Sequence, residues 1–594
     1  MAGVIRLLRV CTAVDRRLAL AVLALGAVQG LLVPLLVLST GALVGALTDG
    51  SSVTRQVAAV GTLFTLQRLL DPVANEVGAM LWRRVDESLS ERVMRALAGP
   101  PGLSHIEDPA VLDAAAQAEG ALTGTTPGEA AAYLGSFVKD RVAAASALAI
   151  VAGYRPVLVP LLVAAYLLSF RFTRWQWYQV AQVISTGTEA LRRSFYLRTL
   201  ALTHTVAKEI RVFGLSEWLV DRYRTGWLAV MRDVWAKRHE GWGRIGAIAT
   251  LLALVEASAL GLLARDAAQG RLTVGHAVAV AQAVLAAAVL AEFTSYHWAL
   301  GESVQSLDRL EALEAQAAAA TSALAGDRDA ADLPRHGIRF EGVRFTYPGR
   351  SAPVLDGFDL DIEAGRSLAV VGENGAGKTT LVKLLSRLYD PDSGRVLVDG
   401  VDLRELDPAS WRRRLAPVFQ DHLQLEISAY DNVAFGSLAH QGNRAGVEQA
   451  ARLAGAAPLI ERLPGGWDTT LSRAFTGGTQ LSGGEWQRLA LARALFAAQS
   501  GAAVLILDEP TAAMDVRGEA EVYDRFLELT RGVTTIVISH RFSTVRRADR
   551  IVVVEHGRVV EDGSHDELVA AGQRYATMYR LQADRFTSQE ASGA

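Results

Sequence analysis

The sequence predicts a multi-domain chain: an all-α domain of six membrane-spanning helices, followed by an α/β domain built around a phosphate-binding loop. Three observations carry this expectation. Before about residue 310 the chain passes through long Ala/Leu/Val stretches, whereas beyond it short apolar runs alternate with Gly, Pro, Asp and Arg. The apolar run Ser367–Val371 leads into Gly372-Glu373-Asn374-Gly375-Ala376-Gly377-Lys378-Thr379, the strand-to-helix setting that a phosphate loop requires. A second run, Val504-Leu505-Ile506-Leu507, ends in Asp508-Glu509, as does a strand buried on both faces whose carboxyl end meets a ligand crevice.

At 594 residues the chain exceeds a single core, since domains usually run to roughly 100–200 residues. Its 50% hydrophobic content suits membrane helices joined to a soluble domain, not a membrane bundle alone. A net charge of −3 excludes a strongly basic chain, so nucleic acid is not an expected partner. Cys11 is the only cysteine, which rules out an intrachain disulfide and a cysteine-based zinc site.

A bilayer core takes about 20 apolar helical residues. Six segments approach that length: 18–47, 53–80, 131–153, 157–170, 243–264 and 275–298. The first follows Arg6, Arg9, Arg16 and Arg17 and far exceeds the roughly 7–15 residues of a cleavable signal core, so it is expected to be a retained helix with its N-terminus in the cytoplasm. The second contains Arg55, Gln67, Arg68 and Asp71 and the fourth is short, so both need burial against other helices. Outer connections are tight, at 48–52, 154–156 and 265–274. Inner connections, 82–130 and 171–242, are rich in charge with helical apolar spacing and should form long arms in the cytoplasm. Pro or Gly interrupts the arms near 103–109 and 212–217; these are either contacts to the soluble domain or ordinary turns. Six spans put both termini in the cytoplasm. The expected division is a membrane domain at 1–311, an Ala-rich linker at 312–335, a nucleotide-binding domain at 336–581 and a tail at 582–594.

In the loop, glycines allow backbone N–H groups to wrap phosphates, Lys378 supplies a fixed charge at the β/γ-phosphates, and the Thr379 hydroxyl takes a place on Mg²⁺; Thr380 follows it into the helix. Asp508 is placed to hold Mg²⁺ and Glu509 to polarise the attacking water. Leu481-Ser482-Gly483-Gly484-Glu485 opens a further helix with a hydroxyl and free N–H groups, a second grip for phosphate. The first loop already serves this domain's nucleotide, so the second points to a nucleotide held by another copy or a partner.

These motifs together resemble the ABC transporters of the exporter type, in which membrane and ATPase domains are fused; the likeness runs over residues 336–581. The resemblance implies roles for further residues. Tyr347, in Phe345-Thr346-Tyr347-Pro348-Gly349, matches the aromatic that stacks on adenine. Gln420, in Val418-Phe419-Gln420-Asp421, matches the glutamine that contacts Mg²⁺ and the attacking water. His540 matches the histidine at the γ-phosphate, and Asp515, after Ala512-Ala513-Met514, belongs to the loop that crosses the dimer interface. Ser482, Gly483 and Gly484 match the signature that closes over the opposite ATP, with Glu485 standing where many members have Gln. Two ATP molecules are then expected between two ATPase domains of a homodimer or heterodimer in the plasma membrane, with closure drawing the arms together at 107–111 and 212–217.

Cargo is expected to be an amphipathic or hydrophobic compound such as a drug, a lipid or a peptide. Arg68, Asp71, Lys139, Asp140, Glu256 and Glu292 lie in or near apolar spans, where exposed charge is expensive. Glu256 is the best single candidate for a cavity-lining group, although structural pairing or interface snorkelling is the favoured reading of it. Uptake by the same architecture and a nucleotide-gated regulator or channel are the competing functions; intact Glu509 and Ser482 weigh against the latter.

Overall fold

The computed structural model describes residues 2–120, 125–186, 188–203, 206–509, 532–539 and 541–582. They divide into two compact units. One holds Met1–Val93 and Asp113–Ala312, the other Met94–Leu112 and Leu313–Ala594.

The first unit is helical. Among its helices are α1 (Arg16–Thr48), α2 (Thr54–Ala98), α3 (Leu134–Tyr154), α4 (Leu158–Thr186), α5 (Trp242–Ala268), α6 (Val274–Ala287) and α7 (Ser295–Ala323). Asp15 starts α1 by accepting the N–H groups of Arg17 and Leu18, each at 3.0 Å. Small residues then let neighbours close in. A Cβ on Gly26 would lie 2.3 Å from the Gly135 carbonyl oxygen, and one on Gly41 would lie 2.6 Å from that of Gly275, so backbone meets backbone between α1 and both α3 and α6. Val37, Val151, Leu162, Tyr166, Ala283 and Val284 form the buried centre, while Leu20, Leu31, Leu35 and Leu38 stay about half exposed, an apolar outer face suited to lipid.

Among the described residues, four helical stretches are long and apolar enough to cross a membrane: Arg16–Thr48, Leu158–Val180, and parts of Ser216–Ala268 and Val274–Ala323. The other two expected spans, in α2 and α3, carry charges that have partners. Asp71 accepts from Gln29 at 2.9 Å and lies 3.9 Å from Lys139; Asp140 accepts from the Tyr296 hydroxyl. Glu256 meets the Tyr166 hydroxyl at 3.3 Å. The span expected at 275–298 is not continuous: after α6 a 3-10 turn (Ala288–Ala291) ends at Glu292 in extended backbone. There Phe293 stacks on His297 and Phe170 meets both edge-on, side-chain packing that no hydrophobic period reveals. At the opposite end, Asp266 accepts from Tyr154 at 2.8 Å and from Arg155 at 2.5 Å, tying two tight connections together.

The second unit is α/β. A six-stranded sheet has the order β10-β9-β3-β8-β7-β6, and a four-stranded antiparallel sheet the order β2-β1-β4-β5. Their ranges are β1 (Gly337–Phe345), β2 (Leu355–Glu363), β3 (Ser367–Val371), β4 (Ser393–Val398), β5 (Val401–Asp402), β6 (Leu415–Val418), β7 (Val504–Asp508), β8 (Thr534–Ile538), β9 (Arg550–Glu555) and β10 (Arg558–Gly563). Strands β6, β7, β8, β3 and β9 are parallel and buried on both faces. Val504 and Ile506 pack with Phe340 and Phe358 of the small sheet, whereas Leu505 and Leu507 pack with Trp486, Leu489 and Phe496 of a helical lobe. Alternation along β7 thus serves two cores.

Segment 94–112 belongs to this second unit. The Leu103 N–H donates to the Leu388 carbonyl at 3.1 Å, and a Cβ on Gly102 would lie 2.5 Å from Leu324 Cδ1. Arg412, which burial makes easier to deprotonate, donates to the carbonyls of Ser386 at 3.1 Å, Arg387 at 2.7 Å and Pro101. The stretch 312–335, expected to be a fraying linker, is packed beyond the end of α7: Ala330 is fully buried and its N–H donates to Ser410 Oγ at 2.6 Å. Replacing Arg412 with Met removes these donors and leaves buried carbonyls unpaired, which should cost about 2–4 kcal/mol. Limited proteolysis of the full chain should then cut within 99–108; unchanged protection would argue against this packing.

Candidate active site

Strand β3 reaches Gly372 between β9 and β8. From there the chain must turn sharply into α8 (Lys378–Leu385). Gly375 and Gly377 supply that turn at φ +84° and +105°, left-handed backbone that glycine adopts without steric cost. At Gly372 the constraint is closeness instead, for a Cβ would lie 2.2 Å from the Val554 carbonyl oxygen. Glu373, Asn374 and Gly375 face solvent, while Ala376, Lys378 and Thr380 are buried. Lys378 Nζ folds back to donate to the carbonyls of Gly372 and Glu373 at 2.7 and 2.9 Å. Burial lowers its pKa, and the nearby carboxylates of Glu509 and Asp508 oppose that shift. The result is a cation anchored inside a ring of backbone groups, ready for a polyphosphate.

Two strands away, Asp508 ends β7, a strand buried along its whole length. Burial raises its pKa, and a hydrogen bond from Thr379 opposes the rise. Its Oδ2 is buried without a hydrogen-bond partner. An orphaned carboxylate oxygen is costly in a protein interior; beside a hydroxyl and a phosphate loop it fits a hard, oxygen-seeking dication. Glu509 follows at φ +46°, with its N–H bonded to the Ile538 carbonyl at 2.9 Å. Holding a glutamate in left-handed backbone costs about 1–3 kcal/mol, and the turn takes its side chain off the sheet within electrostatic reach of Lys378.

Gln420 is exposed in the turn after β6, and the adjoining Asp421 lies close enough to Asp508 to raise its pKa further. Tyr347 is pinned beside the phosphate loop: its hydroxyl is 3.2 Å from Thr380 Oγ1, Lys383 Nζ sits 4.9 Å from its ring centre, and Phe345 and Tyr389 pack edge-on against it. Sequence reasoning did not find Tyr389, Arg387 or Arg412. The Tyr389 hydroxyl is buried without a hydrogen-bond partner, and burial, with the carboxylate of Glu107 from the arm segment nearby, raises its pKa. The two residues are nearly three hundred positions apart, so no local pattern signals their approach. His540 and Asp515 lie outside the described residues.

The helix α9 (Gly483–Gln499) starts at Ser482. Leu481 and Trp486 are buried and fix the helix end, while Ser482 and Gly483 are exposed. Both the N–H and the hydroxyl of Ser482 donate to Glu485 Oε2 at 2.8 Å, a reciprocal cap. These bonds, foremost the one from the Ser482 N–H, hold the Glu485 carboxyl below its ordinary pKa range, with Arg462 and Arg488 assisting.

The ABC transporter family profile matches residues 355–512. An ATP-dependent lipid A-core flippase of Chromohalobacter salexigens is 45% identical over 245 residues, covering 41% of this chain and 41% of its own. The corresponding flippase of Nitrosococcus oceani is 42% identical over 248 residues, 42% of this chain and 40% of its own. The chain thus spans about two fifths of the length of these curated relatives in alignment. Among solved structures, a bacterial Atm1-family ABC exporter with ATP bound superposes with a TM-score of 0.70 at 26% identity, covering 96% of this chain and 99% of that one.

The cap makes a pH-dependent contribution. A carboxyl with a lowered folded pKa stabilises above its unfolded value, 4.5 for Glu485, and that stability is lost as pH falls through the folded value. Glu485→Ala should cost about 1 kcal/mol in urea unfolding at pH 7, and the difference from the parent should shrink below pH about 4. A pH-independent difference would assign the effect to something other than this carboxylate.

Proposed function

We propose that this chain, which is an ABC exporter half-transporter with a helical membrane region and a C-terminal ABC ATPase domain, exports a lipid-like amphiphile using ATP shared between two subunits. The observation that carries the reading is the buried, partnerless Asp508 Oδ2 beside Thr379, with Glu509 adjacent in strained backbone. Nucleotide binding alone needs the phosphate loop; a held carboxylate pair at the same edge suits hydrolysis.

The residues divide the work as follows. Gly372 to Thr380 wrap the phosphates, Lys378 neutralises the β/γ-phosphates, and Tyr347 packs on adenine. Thr379, Asp508 and Gln420 would hold Mg²⁺, which would supply positive charge against the negative charge that develops during phosphoryl transfer. Glu509 accepts a proton from the attacking water, and His540 meets the γ-phosphate. Ser482, Gly483 and Gly484 of one subunit close over the nucleotide of the other, with Asp515 at the same interface. The Ser482 hydroxyl leaves Glu485 to do so.

Lipid-like cargo is favoured by the named relatives, which act on lipid A-core, and by the apolar outer face of α1. Glu256 already meets Tyr166, which supports pairing over cargo contact. The membrane is the plasma membrane, with the ATPase domain and both termini on the cytoplasmic side. ATP closes the domains and draws the arms together, and hydrolysis releases them, two states biased by ligand.

Two measurements test the proposal. In vesicles containing only this chain and fluorescent lipids, ATP should drive lipid between leaflets, and Glu509→Gln should lower ATP turnover at least about 100-fold while retaining ATP binding. Hydrolysis without movement of any lipid would overturn the cargo class, and full turnover in the variant would overturn the role of Glu509. Separately, Mg²⁺ should add to the thermal stabilisation given by ATP, and Asp508→Asn should lose that increment; saturation at 100 times Kd is worth about 2.7 kcal/mol.

A further inference from the structure

A cleft of about 510 Å³ opens at the start of α1, lined by Asp15, Arg17, Leu18, Met80, Arg83 and Arg84. Its lining marks a change of polarity on two helices at once. On α1 the apolar run begins at Leu18, directly after Arg16 and Arg17; on α2 the apolar stretch stops at Leu81 and gives way to Trp82, Arg83 and Arg84. Leu20 and Met80 are about half exposed on the apolar side. Trp82, whose indole N–H donates to Asp86 at 2.6 Å and to Thr126 at 3.0 Å, stands at the same level, as aromatic side chains do at membrane–water boundaries.

Charge in the cleft is unbalanced. The one acid, Asp15, is engaged by the α1 cap and by Arg84. Arg83 pairs with Glu76 at 2.9 Å, but both side chains are about two thirds exposed, so the pair is weak and exchangeable. Arg17 makes no hydrogen bond or ion pair through its guanidinium among the described residues. Arg17 and Arg83 thus line one cleft together with the apolar Leu18 and Met80, a set that matches a phosphate continuing into acyl chain.

We propose that this cleft binds the headgroup of an anionic phospholipid from the cytoplasmic leaflet, with Arg17 and Arg83 on the phosphate and Leu18 and Met80 against the first acyl carbons. Basic pockets between membrane helices on the cytoplasmic side select anionic headgroups, and each arginine near such a surface is worth about a fivefold gain in affinity. The bound lipid bridges the start of α1 to α2. It is a resident lipid and not the cargo, so the inference needs only the membrane placement and stands apart from export.

Native mass spectrometry of the full chain in detergent tests it, with phosphatidylglycerol and phosphatidylcholine of matched acyl chains as probes and inorganic phosphate as competitor. The parent should prefer phosphatidylglycerol at least about fivefold, in the Glu509→Gln background as well. Arg17→Gln with Arg83→Gln should bring that preference below about twofold while the thermal shift with ATP is kept, which shows the variant folded. Equal binding of the two lipids by the parent, or a preference that survives the double substitution, overturns the proposal. So does displacement of phosphatidylglycerol by millimolar phosphate, which would mark a free-anion site. Failure of vesicle export with the lipid preference intact would instead count against the cargo reading alone.

Discussion

The buried carboxylate of Asp508 at the end of β7, with Thr379 nearby, is the constraint around which the ATPase domain is built. Thr379 lies in the first turn of α8, which the phosphate loop joins to β3, and Asp508 ends β7; β3 and β7 are not neighbours, since β8 lies between them, and parallel hydrogen bonds on both edges of β8 set their level. A carboxylate in such a place is unfavourable for folding, because burial raises its pKa and Oδ2 finds no donor. The sheet tolerates it because Val504, Leu505, Ile506 and Leu507 bury their side chains on two separate cores. Lys378, held over the loop, and Glu509, turned out by its left-handed backbone, then converge on the same edge.

That edge is joined to the arm segment through side chains and not through the backbone alone. Tyr347 touches Thr380, Tyr389 packs on Tyr347, and Glu107 lies near Tyr389. Arg412 fixes the same segment by gathering the carbonyls of Pro101, Ser386 and Arg387. Residues 94–112 continue directly from α2, whose earlier part belongs to the membrane-type unit. A helix shared in this way joins the segment that faces Tyr389 covalently to the helical unit. Ser482 contributes differently: its helix end is exposed, and both its N–H and its hydroxyl are taken up by Glu485 in this structure.

Much of this was legible in the sequence because it rests on local rules. The phosphate loop needs glycine where φ is positive, and Gly375 and Gly377 are there; a strand buried twice reads as an unbroken apolar run, as Val504 to Leu507 does. The membrane helices were legible by hydropathy where charge is absent, in α1 most clearly. Charged spans were less so, since the partners that make Asp71 and Asp140 tolerable, Gln29, Lys139 and Tyr296, come from other helices. The break after α6 follows from rings meeting across helices, and the packing of 94–112 and 312–335 from Arg412, Leu388 and Ser410. Such contacts are set by tertiary structure and leave no period to read.

The central claim is that one ATP is gripped by the phosphate loop of one chain and by Ser482 of another. Vanadate trapped with ADP occupies the γ-phosphate position, and ultraviolet light then breaks the backbone beside it. In a mixture of untagged parent chains with tagged Lys378→Ala chains, which cannot hold their own nucleotide, the account predicts a break at Ser482 of the tagged chain. A break confined to the phosphate loop of the untagged chain would contradict it.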